Sequence, residues 1–109
     1  MNVAITGSSG FIGKNIVNSI KQNFPNDKLI LIDQVNGVDI LNIKELETIE
    51  KFDIMIHLAA KSYVPESFSK PYDYYYTNAV GTLNILEMCK RFNAKLIYLR
   101  MYKSEIYNL

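Results

Sequence analysis

The sequence has no tryptophan, one cysteine, one histidine and three prolines among its 109 residues. A single cysteine, Cys89, excludes an internal disulfide, and no pair of residues stands at metal-ligand spacing, so no metal is expected. Cys89 lies in a helical pattern and reads as a small helix residue rather than a reactive thiol. An excess of charge of either sign is also missing. Twelve Lys+Arg against 11 Asp+Glu give a net charge of +1, which removes the electrostatic ground for a nucleic-acid or anionic-membrane partner. No apolar run approaches the ~20 residues that span a bilayer. No basic stretch precedes an apolar one at the start, so the expected location is the cytoplasm. Internal repeats, linkers and low-complexity tracts are absent as well. With 49% apolar residues, the chain reads as one small domain.

What is present begins at once, with Val3-Ala-Ile-Thr-Gly-Ser-Ser-Gly-Phe-Ile-Gly13. A short apolar run feeds into glycines at 7, 10 and 13, which reads as a buried strand, a turn almost without side chains, and a helix start. A helix N-terminus presents unpaired N–H groups and a positive dipole end, both suited to a pyrophosphate. In this arrangement Gly7 permits the tight turn and Gly10 lets the backbone approach phosphate. Gly13 lets the helix pack close to the strand. The spacing is G-x-x-G-x-x-G rather than the commoner G-x-G-x-x-G.

The rest of the chain alternates. The helix after the first strand, Val3–Thr6, is expected to bury Ile12, Ile16 and Ile20, which recur at helical spacing. Phe24-Pro-Asn-Asp27 is turn chemistry, and Leu29–Ile32 is a continuous apolar run, as in a strand covered on both faces. Asn42 and Glu45 have capping-box spacing before a short helix with Ile43, Leu46 and Ile49 inside. Asp53–Leu58 reads as a third strand. A helix from about Tyr72 to Arg91 is expected to bury Tyr72, Tyr75 or Tyr76, Ala79, Leu83 and Leu86. Leu96–Leu99 is a fourth strand. The order βαβαβαβ predicts an α/β fold with parallel strands, a doubly wound sheet in the order 3-2-1-4. Such a sheet normally has about six strands. This one therefore reads as partial and truncated, with an apolar fourth strand left as an edge that invites association.

Asp33 ends the second strand about 20 residues beyond the glycine turn, where a carboxylate accepts hydrogen bonds from an adenosine ribose. A carboxylate there repels a 2′-phosphate, so NAD is expected over NADP. Asp39-Ile40 lies at the adenine end of the groove, where Asp39 can accept the adenine amino group while Ile40 flanks the ring. Taken alone, Asp39 is equally a loop carboxylate. His57-Leu-Ala-Ala60 closes the third strand, and its small residues let a cofactor lie across the strand ends. A lone histidine on a buried strand is more often a core residue than a catalyst, so His57 carries little catalytic weight. Asn78 is on the polar side of the Tyr-rich helix, near Gly81-Thr82. A glycine there costs ~1 kcal/mol relative to alanine, which close packing would offset.

Together these motifs resemble the N-terminal part of the extended short-chain dehydrogenase/reductase family, the NAD-dependent epimerases and dehydratases of nucleotide sugars. The residues carrying the resemblance are Thr6-Gly-x-x-Gly-Phe-Ile-Gly13, Asp33, Asp39-Ile40 and His57-Leu-Ala-Ala60. It continues through Glu66-Ser67, Lys70-Pro71, Tyr74-Tyr75, Asn78 and Gly81-Thr82. Ile56–Leu86 is especially similar to UDP-glucose 4-epimerases. The resemblance implies a Rossmann-type, NAD-binding domain over residues 1–99, with 100–109 a divergent tail. It implies that Gly7, Gly10, Phe11 and Ile12 line the pyrophosphate, that Asp33 holds the ribose, and that Asp39 and Ile40 contact adenine. Leu58, Ala59, Ala60 and Ser62 would line the nicotinamide-ribose side, with Asn78 nearby. Lys61 departs from an apolar residue common in epimerases.

The chemistry the resemblance implies is hydride transfer between a sugar carbon and NAD. A Tyr-x-x-x-Lys pair supplies the base, and a Ser or Thr after the fourth strand orients the sugar hydroxyl. None of the eight tyrosines is followed four positions on by lysine, and Arg100 or Met101 stands where the hydroxyl residue belongs. No catalytic residue is assigned, and no turnover is expected from this chain alone. The loss of resemblance after Leu99 suggests a frameshift, a gene break or a trimmed chain. A nucleotide sugar is expected as substrate only with a completing C-terminal part. The alternative is a non-catalytic interaction module that pairs, with itself or another chain, through the open fourth-strand edge. A reductase completed by a second polypeptide is a third reading.

Overall fold

The computed structural model describes residues 1–58 and 69–99. Four parallel strands form one sheet: β1 (Asn2–Thr6), β2 (Lys28–Ile32), β3 (Ile54–His57) and β4 (Lys95–Tyr98). Helix α1 (Phe11–Asn23) joins β1 to β2. A 3-10 turn (Gln34–Asn36) and the single-turn α2 (Ile43–Leu46) lie between β2 and β3. Helix α3 (Pro71–Tyr76), a π turn (Thr77–Gly81) and α4 (Thr82–Phe92) lead to β4. Among the described residues no helix is long and apolar enough to cross a membrane.

The strand order is β2-β1-β3-β4, not the expected 3-2-1-4. The third strand pairs with β1, in the register Val3–Ile54 to Thr6–His57, rather than lying outside β2. The difference is visible in burial. Val3, Ala4, Ile5 and Thr6 are all buried, as a central strand is in either order. In β2 only Ile32 is buried and Leu31 is exposed, so β2 is an edge and not a strand covered on both faces.

The two faces of β1 serve two cores, as the pleat alternation requires. Val3 and Ile5 pack with Val17 of α1, flanked by Ile16 and Ile20. Ala4 faces the other way, into a larger cluster with Ile32, Leu46, Phe52, Met55, Ile85 and Met88, which α2 and α4 cover. The chain thus crosses one face from β1 to β2 and the opposite face on returning to β3. Right-handed crossovers demand that change of face when the direction of travel along the sheet reverses. The reversal places the topological switch point between β1 and β3, where open α/β sheets bind ligands at their strand C-termini.

Two expected helix faces are corrected. In α1 the buried positions are Gly13 and Val17, while Ile12 at the helix start is exposed. In α3 and α4 the buried residues are Tyr74, Ile85, Met88 and Cys89, with Gly81 of the π turn. Tyr72, Tyr75, Tyr76, Leu83 and Leu86 are exposed. Both stripes are apolar and sit two residues out of phase, on opposite sides of the helix at ~100° per residue. The small Gly81 selects between them, because only that side lets another segment approach closely. Asn93, in the left-handed region at φ 53°, closes α4.

Candidate functional site

β1 ends at Thr6, and Gly7 turns the chain at φ 68°, where an L side chain is strained. The Gly7 N–H donates to Ile32 C=O at 3.0 Å, which ties the turn to the end of β2. Gly13 lies directly beneath. A Cβ there would stand 2.2 Å from Gly7 O and 2.8 Å from Ser8 Cα, so the helix start can back onto the turn only without a side chain. Gly10 is the N-cap of α1 and offers no side chain to its first N–H groups. A helix leaves those groups without intrahelical partners, and they carry the positive end of its dipole. Phe11 and Ile12 form this first turn, Phe11 almost fully exposed.

Asp33 stands beside this turn. Its Oδ2 accepts from Ser9 Oγ at 2.6 Å and from Ser9 N at 3.2 Å, and its Oδ1 accepts from Val35 N at 3.0 Å. Burial pushes the Asp33 carboxyl up, but the Ser9 hydroxyl and the N–H groups of Val35, Ser9 and Gln34 outweigh it. The net pKa is lowered from 3.8. The side chain is therefore a fixed, charged acceptor at the end of β2.

Beyond it the chain folds through Val38–Leu41. Asn42 caps α2 by accepting from Lys44 N at 3.1 Å and Glu45 N at 3.4 Å. Glu45 does not reach back to the Asn42 N–H as a capping box would. Its carboxylate accepts from Asp39 N at 3.1 Å, and Asn42 N donates to Asp39 O.

These elements bound a cleft of about 650 Å³. Its lining includes Gly7, Gly10, Asp33, Asp39, Ile40 and Leu58, six of the residues expected from the sequence. Phe11 and Ile12 follow Gly10 at its rim. Asn78 is half-buried in the π turn and is not among the lining residues. Ala59, Ala60, Ser62, Lys61 and the 100–109 tail lie outside the described residues. Sequence reasoning missed Ser9, whose only signal was its place inside the glycine turn, and the far wall. That wall is Tyr72, Asp73, Tyr76 and Thr77, with the Tyr72 and Tyr76 rings stacked at 6.5 Å.

His57 is buried at the switch point. Its Nδ1 meets Thr6 Oγ1 at 2.7 Å and its Nε2 meets Thr82 Oγ1 at 3.0 Å, while Leu58 N donates to Thr6 Oγ1 at 2.8 Å. Burial lowers its pKa to about 4. A neutral ring with both nitrogens engaged clamps β1, β3 and α4 together, and Tyr98 stacks on it at 5.6 Å. No group of three or more His, Cys, Asp or Glu among the described residues is arranged to hold a metal ion.

The arrangement matches known proteins. The sequence profile of the NAD dependent epimerase/dehydratase family matches residues 3–107. A dTDP-D-glucose 4,6-dehydratase of Dictyostelium discoideum is 33% identical over 85% of this chain and 27% of its own. A UDP-glucose 4-epimerase of Caenorhabditis elegans is 31% identical over 87% of this chain and 36% of its own. Among solved structures, the UDP-glucose 4-epimerase of Bifidobacterium longum, in complex with NAD+ and UDP, superposes with a TM-score of 0.80 at 25% identity. That match covers 90% of this chain and 36% of the epimerase. The chain thus spans about a third or less of the curated relatives it matches. A partial Rossmann-type sheet carrying this glycine turn and this Asp33, matched by the profile from Val3 to Tyr107, belongs to the NAD dependent epimerase/dehydratase family.

Proposed function

We propose that this chain is the NAD-holding N-terminal part of a nucleotide-sugar epimerase or dehydratase and catalyses no turnover by itself. The observation that carries the reading is the Asp33 carboxylate, fixed by Ser9 beside an uncapped helix start. That is the donor and acceptor set a dinucleotide requires, with N–H groups for the pyrophosphate and a charged acceptor for a ribose diol. In this reading Gly7, Gly10, Phe11 and Ile12 hold the pyrophosphate, and Asp33 binds the adenosine ribose. Asp39 and Ile40 bind adenine. Leu58, Ala59, Ala60 and Ser62, with Asn78, serve the nicotinamide-ribose side.

Bound NAD would supply the hydride acceptor. The chain's residues bind and orient it, and His57 keeps the strand ends beneath it in register. No Tyr-x-x-x-Lys occurs in the sequence to move the proton that accompanies the hydride. That step, and recognition of a UDP- or dTDP-hexose, are assigned to no residue of this sequence. Thermal melting with NAD and NADP titrated in tests the reading. A rise in Tm that saturates with NAD, and is smaller with NADP, is expected; no rise with either would overturn it.

A second reading rests on β4, which lies at the sheet edge with Ile97, Tyr98 and Leu99 exposed. An apolar edge of this kind suits pairing with another strand, from a second copy or another protein. Sedimentation separates the two readings: a stable dimer indifferent to NAD favours the interaction module.

A further inference from the structure

The adenine-side wall of the cleft, Val38–Leu41, belongs to no helix or strand, yet it is pinned at several points. Val38 N donates to Asp33 O at 3.1 Å, and Glu45 takes the Asp39 N–H. Asp39 Oδ1 accepts from Leu41 N at 2.9 Å, which aims the carboxylate and leaves Oδ2 lone pairs for a donor outside the loop. The most distant pin comes from α4. The Asn84 side-chain amide donates to Ile40 C=O at 2.8 Å, across 44 positions of sequence.

Gly81, one helical turn before Asn84, completes this seat. A Cβ at Gly81 would stand 2.6 Å from Ile40 Cδ1 and 3.0 Å from Cγ1, so the Ile40 side chain occupies the space that a larger residue would fill. Ile40 is accordingly buried, and it presents the loop to the cleft rather than lying open beside it. The same helical segment lines the cleft's far side through Tyr76 and Thr77. The continuous run from α3 through the π turn to α4 therefore contacts both walls.

We propose that Asn84 is a positioning residue for purine recognition: by holding Ile40 C=O it places Asp39 to accept an exocyclic amine. This rests on the NAD reading. A carboxylate accepts from an amine but repels a ring carbonyl, so the placed Asp39 discriminates adenine from hypoxanthine. A loosened loop does not, because a base-recognition contact depends on fixed geometry.

The test compares NAD with nicotinamide hypoxanthine dinucleotide by calorimetry on the native chain and on Asn84→Leu. The native chain is expected to prefer NAD by about tenfold, the worth of a charge-assisted hydrogen bond. Asn84→Leu is expected to weaken NAD about tenfold and the hypoxanthine analogue less than about twofold, so that the preference collapses. A merely structural role would weaken both equally; that result, or no change in either, overturns the proposal. Glu45→Ala releases the same loop from its other side and must show the same selective loss, which keeps the test available if Asn84→Leu does not fold. A native chain that binds neither dinucleotide overturns the NAD reading and this inference with it. Tight NAD binding that Asn84→Leu leaves intact overturns this inference alone.

Discussion

The Ser9 hydroxyl donates to the Asp33 carboxylate at 2.6 Å, which locks the glycine turn after β1 to the end of β2. These residues lie 24 positions apart in sequence, and neither element alone would fix the other. In the proposed function the start of α1 offers its N–H groups to the pyrophosphate and Asp33 accepts from the ribose, and this contact helps to set the distance between them.

Ser9→Ala removes the shortest of these bonds. The fold should survive, because Ser9 is exposed and its backbone N–H still reaches Asp33. NAD affinity should fall roughly threefold to tenfold, the range expected for one hydrogen bond to a charged group. Asp33→Ala should cost more than tenfold and reduce the preference for NAD over NADP. Calorimetric titration of both variants with both dinucleotides checks this.

Gly13→Ala and Gly81→Ala should differ sharply. At Gly13 the new Cβ meets backbone atoms, Gly7 O and Ser8 Cα, which cannot move without opening the turn. A loss of at least about 3 kcal/mol is expected. At Gly81 it meets the flexible end of Ile40, and alanine's better helix propensity offsets part of the strain. The net change there should stay within about 1 kcal/mol. Urea unfolding of the two variants gives both numbers, and equal losses would contradict the distinction.

His57 should make stability fall on acidification. Its folded pKa of about 4 lies below the ordinary 6.5, so the unfolded chain binds the proton first. The stabilisation is full above 6.5 and is lost progressively as pH falls toward 4, by at most about 1.4 kcal/mol per pH unit. Urea midpoints at pH 7 and pH 5 should separate in the native chain and draw together in His57→Gln. Parallel shifts in the two proteins would show that other groups carry the effect.

Purified chain should not turn over UDP- or dTDP-hexoses even with saturating NAD, because the sequence has no tyrosine–lysine pair to move the proton. Product detected above a chain-free control would contradict this.

Much of the fold was legible, and what was not has physical causes. The glycine turn, the four strands and the Asn42 cap were readable because each is a local pattern: a φ above zero, an apolar run, a side-chain acceptor near helix N–H groups. Strand order was not. An apolar third strand can pair with the open edge of β2 or with that of β1, and nothing local to Ile54–His57 says which. The buried face of the Tyr-rich helix was misread because two apolar stripes lie on opposite sides of it and tertiary contact with Ile40 decides between them. Within the site, Asp33 announced itself by its distance from the glycines. Ser9 and Asn84 are polar residues in ordinary surroundings, whose significance lies in partners remote in sequence. Asn78 lies half-buried in the π turn beside Thr77, which lines the cleft.

The most direct measurement is a calorimetric titration of NAD into the native chain and into Asp33→Ala. The account predicts one saturable site in the native chain, with affinity reduced more than tenfold in the variant. Absence of binding to the native chain, or binding that Asp33→Ala leaves unchanged, would contradict it.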